Sequence, residues 1–464
     1  MKICTFVAVE KRGMRKLLTT IIALAVATIA LAQSPEAIRK MIRENSNFSI
    51  PTITTYQNVP IEKIAPSPKG YKLFYYSLTG RHGSRYELED STFVYTCDIF
   101  NRAAKLGILT EEGERVRKIL NRATAEQRGK GGELTSLGQV QWRGIGRRAY
   151  QNFGALFDTG SIEAKSSTKM RCVFSMVSFV EGVKEKNTKI FVEQEARESF
   201  LPILRPMIDN PASPKQLIRD CRFTARQGAW RKDAVDKLWH EGFNTTLSKL
   251  VTKPELLKEC GASTPFWFLY QTHHLLLFSQ NFGFDNYEMI RSIFSVEDEY
   301  RFYCYRCLSW LSLSWSWGND NAAIFMSYMR PLVDDVLTKA QDAIDGRNPH
   351  IANLRFTHDS YIVPLITILG LEGCAATFGP DIEKAATSAP LSKIVPMAAN
   401  VQMQLYRNKA GEVLVRIMLN EKDATLPIEC KTAPFYPWDK FRALVEGNMT
   451  KLESRRDEIL KKRD

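Results

Sequence analysis

The chain has 464 residues, of which 44% are hydrophobic, 25% charged and 11% aromatic. These values are ordinary for a folded protein and exclude wholesale disorder and fibrous repeats. The length suits about three domains, or one large domain with an insertion. The formal net charge of +13 indicates a polyanionic partner, such as nucleic acid, anionic lipid or phosphorylated small molecules.

The first 32 residues predict a secretory signal peptide. Five basic residues precede a 16-residue apolar run from Leu17 to Ala32, and Ala30-Leu31-Ala32 fits a small-x-small cleavage site. The run is short for a membrane span, which needs roughly 20 residues. We therefore expect cleavage before Gln33, export to the periplasm or medium, and no stable membrane insertion. The leader contributes +4 of the charge, which leaves about +9 on the mature chain.

An exported protein rarely meets cellular nucleic acid, and the sequence contains neither zinc-finger spacing nor a basic repeat interleaved with aromatic residues. We therefore expect a small phosphorylated molecule as the substrate and no nucleic acid. Cys304 and Cys307 have the spacing of a redox or zinc motif, but they lie in an aromatic-rich helical stretch without a second such pair. Buried thiols or disulfide bridges are predicted there, and His273 and His274 are predicted to be helix residues rather than ligands.

The N-terminal half predicts alternating strands and helices. An arm over residues 33–68 precedes a strand at Tyr71–Leu78. Helices follow at Thr110–Ala125 and at Ser136–Phe153, the second with Thr135 as its N-cap. A strand at Ser161–Ser166 leads into a helix over residues 168–184. Its apolar spacing predicts a core-facing stripe made of Met170, Val173, Phe174, Val177 and Val180.

The pattern is helical from 196 to 345 and then returns to strands. Ile351–Thr357 predicts a strand, and Ser360–Leu369 a helix with Gly370 as its C-cap glycine. Strands at Val401–Arg407 and Val413–Leu419 flank a turn. These elements predict an α/β domain with an inserted helical domain. We assign residues 69–195 and 346–464 to the α/β domain and 196–345 to the insertion.

The first predicted strand leads into Arg81-His82-Gly83-Ser84-Arg85. Ligands gather at the carboxyl ends of strands in α/β sheets, and a glycine lets the backbone approach a ligand closely. Guanidinium groups match phosphate oxygens bidentately, and a neutral imidazole among them can attack phosphorus. The run therefore predicts a phosphate site, with a basic surface turn as the alternative.

A second strand end precedes His358-Asp359. A helix N-terminus favours anions, and repulsion from a bound anion favours a protonated Asp359 that can donate to a leaving oxygen. The alternative is that Asp359 only caps its helix. Arg171 lies in the first turn of the preceding helix, where a cation opposes the helix dipole. A bound anion would remove that conflict, and a solvated surface residue is the alternative.

The chain resembles the histidine acid phosphatases, in the branch that contains phytases, glucose-1-phosphatases and multiple inositol polyphosphate phosphatases. The resemblance covers about residues 70–185 and 348–440. It implies a mixed central sheet flanked by helices, a helical insertion and no metal cofactor. It rests on the two motifs above, on Leu134-Thr135-Ser136-Leu137-Gly138, on Lys169-Met170-Arg171 through Phe179, on Thr357 and Ser360 around the second motif, and on the hairpin after Pro396-Met397-Ala398-Ala399.

The resemblance implies a role for each matched residue. His82 is expected to form a phosphohistidine and Asp359 to donate the proton. The expected phosphate-binding residues are Arg81, Arg85, Arg171 and His358.

Two departures from the family pattern concern the preferred substrate rather than the chemistry. The family often continues the first motif to a proline, whereas Tyr86 follows Arg85 here. Many inositol polyphosphate phosphatases carry His-Ala-Glu at the second site, whereas this chain has the phytase-like His358-Asp359-Ser360.

These features together predict an exported phosphomonoesterase that acts through a phosphohistidine, with phytate-like inositol polyphosphates as substrates. A broad-specificity acid phosphatase and a glucose-1-phosphatase stay open, because sugar phosphates also suit a basic site. A phosphoglycerate-mutase-like transferase shares the nucleophile motif but acts on cytosolic substrates. A non-catalytic phosphate-ester binding protein would lack the nucleophile or the acid, and an adhesion module would need no such group of polar residues.

Overall fold

The structure is a computed structural model that describes residues 34–57, 64–211, 213–220, 230–314, 320–374, 382–388 and 390–462. The predicted signal peptide lies outside the described residues. Within them, no helix combines the length and the apolar character needed to cross a membrane.

The strands belong to one mixed sheet. They are β1 (Lys72–Arg81), β2 (Ile162–Ser166), β3 (Val192–Ala196), β4 (Ala352–Thr357), β5 (Asn400–Arg407), β6 (Val413–Leu419), β7 (Lys422–Asp423) and β8 (Phe435–Pro437).

Helices flank both faces of this sheet. They are α1 (Pro35–Glu44), α2 (Asp90–Lys105), α3 (Glu111–Gln127), α4 (Ser136–Phe157), α5 (Met170–Lys184), α6 (Leu201–Leu204), α7 (Pro206–Asp209), α8 (Trp230–Leu238), α9 (Gly242–Leu250), α10 (Pro265–Phe278), α11 (Tyr287–Ile293), α12 (Val296–Ser314), α13 (Asp320–Ser327), α14 (Arg330–Ile344), α15 (Asp359–Ile368), α16 (Ile382–Ser388), α17 (Leu391–Ile394) and α18 (Trp438–Lys461).

The sheet is parallel on one side and antiparallel on the other. Its strand order is β3-β2-β4-β1-β5-β6-β7, and β8 pairs with β6. The strands β3, β2, β4 and β1 are mutually parallel, whereas β5 and the strands beyond it pair antiparallel. This confirms the predicted mixed sheet with flanking helices, and it brings the carboxyl ends of β1, β2 and β4 to one edge.

Both faces of the sheet are buried. Because successive strand residues point to opposite faces, the neighbours Tyr75 and Tyr76, both fully buried, belong to different hydrophobic clusters. The Tyr76 face packs against α4 and α5, with Trp142 and Phe179 in that core. The other face shares its core with the helices between residues 201 and 344, which we call the helical segment.

The local signals around the motifs are confirmed. Thr135 caps α4 as predicted, since its hydroxyl accepts a hydrogen bond from the Gly138 N–H. Thr110, predicted as the first residue of its helix, caps α3 in the same way by accepting from the Gly113 N–H. Gly370 follows α15 with a φ of 77°, as expected of a C-cap glycine. The first strand runs three residues further than predicted and ends at Arg81.

The predicted core stripe of α5 is wrong for two of its five members. Met170 is 56% and Phe174 46% exposed, Val173 and Val177 are half-buried, and Val180 is buried. The Cys172 thiol donates to the Thr357 carbonyl at 3.2 Å, so the face of the helix that carries Cys172 lies against β4. The buried face instead consists of Cys172, Ser175, Met176, Ser178, Phe179, Val180, Gly182 and Val183.

The predicted cysteine pair lies inside the helical segment. Cys304 and Cys307 are free, fully buried thiols of α12. Burial raises the pKa of the Cys304 thiol to about 12, so this thiol stays protonated at neutral pH. No group of three or more His, Cys, Asp or Glu side chains that could hold a metal occurs in the described part of the chain.

Candidate active site

Three parallel strand ends form the floor of the site. Arg81 at the end of β1 is in register with Thr357 of β4, and Ser166 of β2 is in register with Phe356. The residues that follow these strands therefore leave the sheet at the same edge, and they are His82, His358 and Ser167. Arg171 follows a few residues later at the start of α5. The two motifs and Arg171 are thus brought together, as predicted.

His82 is buried and fixed by its own backbone. Its side chain Nδ1 lies 2.9 Å from the Gly83 carbonyl, which can only accept, so the proton sits on Nδ1 and Nε2 keeps its lone pair. Burial, together with the charges of Arg81 and Arg171, holds the pKa of His82 well below its usual range. The imidazole is therefore neutral at neutral pH, the state that a nucleophile requires.

Gly83 lets the motif pack tightly on the start of α4. A Cβ at this position would lie 2.5 Å from the Gly138 carbonyl oxygen, so no other residue fits without moving that backbone. The Gly83 N–H donates to the Ser175 hydroxyl at 3.0 Å, and the Ser84 N–H donates to the Gln141 side chain at 2.9 Å. These contacts fix the loop that carries His82 and Arg85.

Arg81 is the most enclosed cation of the site. Its Nη1 donates to the carbonyls of Thr52, Val395 and Pro396, and its Nη2 lies 2.8 Å from Asp359 Oδ2. Burial dominates its titration and lowers its pKa to about 10. Its Nε has no hydrogen-bond partner among the described residues.

Arg85 and Arg171 border the same space. Arg85 Nη1 donates to the Tyr86 carbonyl at 2.7 Å. Arg171 Nη1 donates to the Gly132 carbonyl at 3.4 Å, and its buried Nε is unpaired within the described chain. Burial lowers the pKa of Arg171, and the charge of Arg85 adds to that effect. Such closely spaced, partly unpaired guanidinium groups form a site that attracts an anion.

His358 and Asp359 complete the group from β4. The His358 ring lies 5.5 Å from the His82 ring, centroid to centroid, and its Nε2 is 3.5 Å from the Ser167 hydroxyl. Burial and the surrounding arginines hold the pKa of His358 well below its usual range. Asp359 accepts from the Ser360 N–H at 2.8 Å through one oxygen and pairs with Arg81 through the other.

Arg205 is a member of the cluster that sequence reasoning missed. It lies between α6 and α7, where the Thr357 hydroxyl donates to the neighbouring Leu204 carbonyl at 2.6 Å. Its charge lowers the pKa of both His358 and Arg171, and its Nε pairs with Asp209 at 2.9 Å. No local signal distinguishes Arg205, because only the tertiary fold brings it near the motifs.

Tyr86, which marked a departure from the family pattern, is firmly held. Its ring stacks on Phe282 at 5.3 Å between centroids, and its hydroxyl donates to Glu126 at 2.7 Å. The Lys130 ammonium lies 4.9 Å from the ring centroid. The backbone that orients Arg85 is therefore fixed by side-chain packing.

A neutral, buried imidazole among guanidinium groups is an arrangement that suits an enzyme that transfers phosphoryl groups. The family model for the histidine phosphatase superfamily (branch 2) matches residues 78–420, and the chain belongs to this family. It is a histidine-type phosphatase, a hydrolase of phosphate monoesters.

Solved structures share the fold. The multiple inositol polyphosphate phosphatase of Bifidobacterium longum, in complex with inositol hexasulfate, is similar with a TM-score of 0.71 and 17% identity, over 86% of this chain and 97% of that chain. The phytase of D. castellii is similar with a TM-score of 0.60 and 17% identity, over 87% and 84%. A comparison with curated proteins found no match.

Proposed function

We propose that the protein is an exported phosphomonoesterase that hydrolyses inositol polyphosphates, phytate foremost, through a phosphohistidine on His82. The observation that carries this proposal is the convergence of Arg81, Arg85 and Arg171 on a neutral, buried His82. Phosphoryl transfer needs mainly positioning and stabilisation of charge, and this arrangement supplies both.

In the first half-reaction, His82 Nε2 forms a bond to phosphorus while the bond from phosphorus to the ester oxygen breaks. The Nδ1–H bond to the Gly83 carbonyl stabilises the positive charge that develops on the ring. Arg81, Arg85, Arg171 and His358 bind the three equatorial oxygens. Fixed guanidinium donors lower the barrier because they already point to where charge accumulates.

Asp359 protonates the leaving oxygen in this mechanism. Its carboxylate pairs with Arg81 at 2.8 Å. A bound phosphate competes for Arg81 and repels the carboxylate, which favours the protonated acid. Water then attacks the phosphohistidine, the N–P bond breaks, and Asp359 takes the proton from that water.

Three observations support a substrate with several phosphate groups. The mature chain carries a net charge of about +9, and Arg205 adds a cation that acts on two of the four proposed phosphate ligands, His358 and Arg171. The similar structures are an inositol polyphosphate phosphatase with an inositol hexasulfate ligand and a phytase. A substrate with several negative charges matches such a cationic site better than a monophosphate does.

The test compares phosphate release from phytate, glucose 1-phosphate and glycerophosphate across pH. We expect the highest kcat/KM with phytate. A preference for glucose 1-phosphate, or equal rates with all three, would replace the proposal by a glucose-1-phosphatase or a broad acid phosphatase. Binding of phosphate without release from any ester, p-nitrophenyl phosphate included, would indicate a non-catalytic binding protein.

Export is proposed from the leader sequence. Intact-mass measurement of the protein recovered from the periplasm or the medium of an expressing bacterium should give a chain that begins at Gln33. A full-length chain retained in the cytoplasm would contradict it.

A further inference from the structure

Glu87 is a charged neighbour of the phosphate site for which the proposed reaction has no use. Its Oε1 lies 3.6 Å from Arg85 Nη1, and it is the carboxylate that pairs with Arg85 in the described part of the chain. The other carboxylate of the site, Asp359, pairs with Arg81 and is assigned to proton transfer. Arg85 thus has a fixed anionic partner that takes no part in the proposed reaction.

The Glu87 backbone is held on both sides. Its N–H donates to the Gln127 side chain at 2.8 Å, and Gln127 donates back to the Glu87 carbonyl at 3.1 Å. The Gly132 N–H donates to the same carbonyl at 2.8 Å. The carboxylate itself accepts from the Leu88 N–H at 2.8 Å. The direction in which Glu87 faces Arg85 is therefore set by several independent contacts.

His274 of the helical segment holds the other carboxylate oxygen. Its Nε2 lies 3.5 Å from Glu87 Oε2, while its Nδ1 has no partner among the described residues, so the polar side of the ring faces Glu87. Tyr270 lies parallel to the ring at 6.4 Å and Phe278 lies 5.7 Å from it. Burial would raise the pKa of Glu87, but His274 and Arg85 outweigh it and lower the pKa to about 2.

We propose that Glu87, oriented by His274, is a positioning residue that holds Arg85 in the orientation that binds phosphate. The inference rests on the proposed function, because that function makes Arg85 a phosphate ligand. A guanidinium held at one edge keeps its other N–H groups free for phosphate oxygens. Because His274 belongs to the helical segment, its pairing with Glu87 also makes that segment part of the support of the phosphate site.

The carboxylate has a second, opposite effect, which makes the proposal testable. Its negative charge repels a bound phosphate, so a purely electrostatic role predicts tighter phosphate binding when the charge is removed. A positioning role predicts weaker binding when the side chain is removed. Glu87→Gln removes the charge but keeps the shape of the side chain and one oxygen. Glu87→Ala removes the charge and the side chain together. Comparing the two variants therefore separates the electrostatic role from the positioning role.

The measurements are kcat and KM with p-nitrophenyl phosphate, and the Kd of inorganic phosphate by calorimetry. We expect Glu87→Ala to lower kcat/KM at least about tenfold and to weaken phosphate binding at least about threefold, as for coupled neighbouring groups. We expect Glu87→Gln to retain most of both. Tighter phosphate binding in both variants would overturn the positioning role.

A neighbouring histidine gives a matched control. His274→Ala should reproduce part of the Glu87→Ala defect. His273→Ala removes the neighbouring, more deeply buried ring of the same helix, which pairs with Glu299 rather than with Glu87. It should lower the Tm while leaving kcat/KM unchanged. Equal kinetic losses in both variants would mean that His274 acts only through the stability of α10.

A double-mutant cycle links the effect to Arg85. If Glu87 acts through Arg85, then Glu87→Ala should have no further effect on phosphate Kd in an Arg85→Ala background. Additive losses would refute the proposal, and Tm values check that each variant is folded. A wild-type protein that binds phosphate but hydrolyses no ester would contradict the proposed function alone, since the cycle is measured by binding. A wild-type protein that binds no phosphate would refute both.

Discussion

Asp359→Asn tests the proposed division of labour between acid and nucleophile. An inositol or sugar alkoxide leaves poorly and needs a proton, whereas p-nitrophenolate leaves readily without one. The substitution removes the proton but keeps one oxygen that can still accept from Arg81, while the amide NH₂ replaces the oxygen that accepts from the Ser360 N–H. It should therefore slow phytate hydrolysis far more than p-nitrophenyl phosphate hydrolysis.

The expected size follows from the roles and the contacts of Asp359. General acid catalysis contributes about 10²–10⁴-fold, so the ratio of the two rates should change at least about tenfold. Breaking a buried ion pair costs about 3–5 kcal/mol. The Arg81 side chain is 1% and that of Asp359 18% exposed, but Asn keeps a hydrogen bond to the charged arginine. We therefore expect a stability loss of only about 1–2 kcal/mol.

The assay is steady-state hydrolysis of both substrates, followed by burst kinetics with p-nitrophenyl phosphate. A fast first turnover followed by a slow steady state would report the second role of Asp359, as base toward water. Asp335→Asn is the matched control, because Asp335 pairs with the buried Arg355 of the same sheet, with side-chain exposures of 15% and 2%. The control should lower stability without changing the ratio of the two rates.

Equal slowing of both substrates, without a burst, would refute the acid role. Asp359 would then only cap α15 or hold Arg81, and another group would have to donate the proton. A changed substrate ratio in Asp335→Asn would show that the ratio responds to stability rather than to proton transfer.

Three further predictions concern the nucleophile and the charge of the site. His82→Ala should abolish turnover of both substrates, and acid-quenched wild type alone should retain label from a radiolabelled ester; label on the variant would remove the assignment. Because the folded-state pKa of His82 is below the value of about 6.5 in an unfolded chain, the neutral nucleophile should persist as the pH falls. The rate of phosphoenzyme formation, measured by rapid quench, should therefore change little between pH 7 and pH 5.5, and a loss centred near pH 6.5 would contradict this. The buried neutral ring stabilises the folded protein fully at pH values above the pKa that His82 has in the unfolded chain. This stabilisation is lost as the pH falls through the lower pKa that His82 has in the folded protein. EDTA should leave activity intact, because arginines supply the positive charge that a metal would otherwise bring; activity lost on chelation and restored by zinc or magnesium would show the opposite.

The sequence by itself located the two motifs of the candidate site along the chain. Arg81-His82 and His358-Asp359 each follow a segment whose pattern predicts a strand, and β1 and β4 end at these positions. Thr135 and Gly370 were recognisable because caps depend on residues only a few positions apart. Local patterns of this kind can be recognised in the sequence alone, without knowing which distant residues contact them.

The face of α5 could not be predicted in the same way. Apolar residues occur on several sides of this helix, so more than one stripe fits the helical period. In the fold, the face with Cys172 and Met176 packs against the sheet, with Cys172 at the end of β4, and Met170 and Phe174 are exposed. This orientation of the helix also turns Arg171 toward the Gly132 carbonyl.

Only the tertiary structure decided which distant residues support the motifs. Thr52 of the N-terminal arm accepts from Arg81, Arg205 follows Leu204, whose carbonyl accepts from Thr357 beside His358, and His274 pairs with Glu87. None of these three residues stands in a motif, and each comes from a stretch whose pattern indicates only an arm or helices. Their positions depend on how the sheet and the helical segment share one core. A contact between residues far apart in sequence produces no periodic pattern in the sequence around either residue, so it cannot be predicted from local patterns.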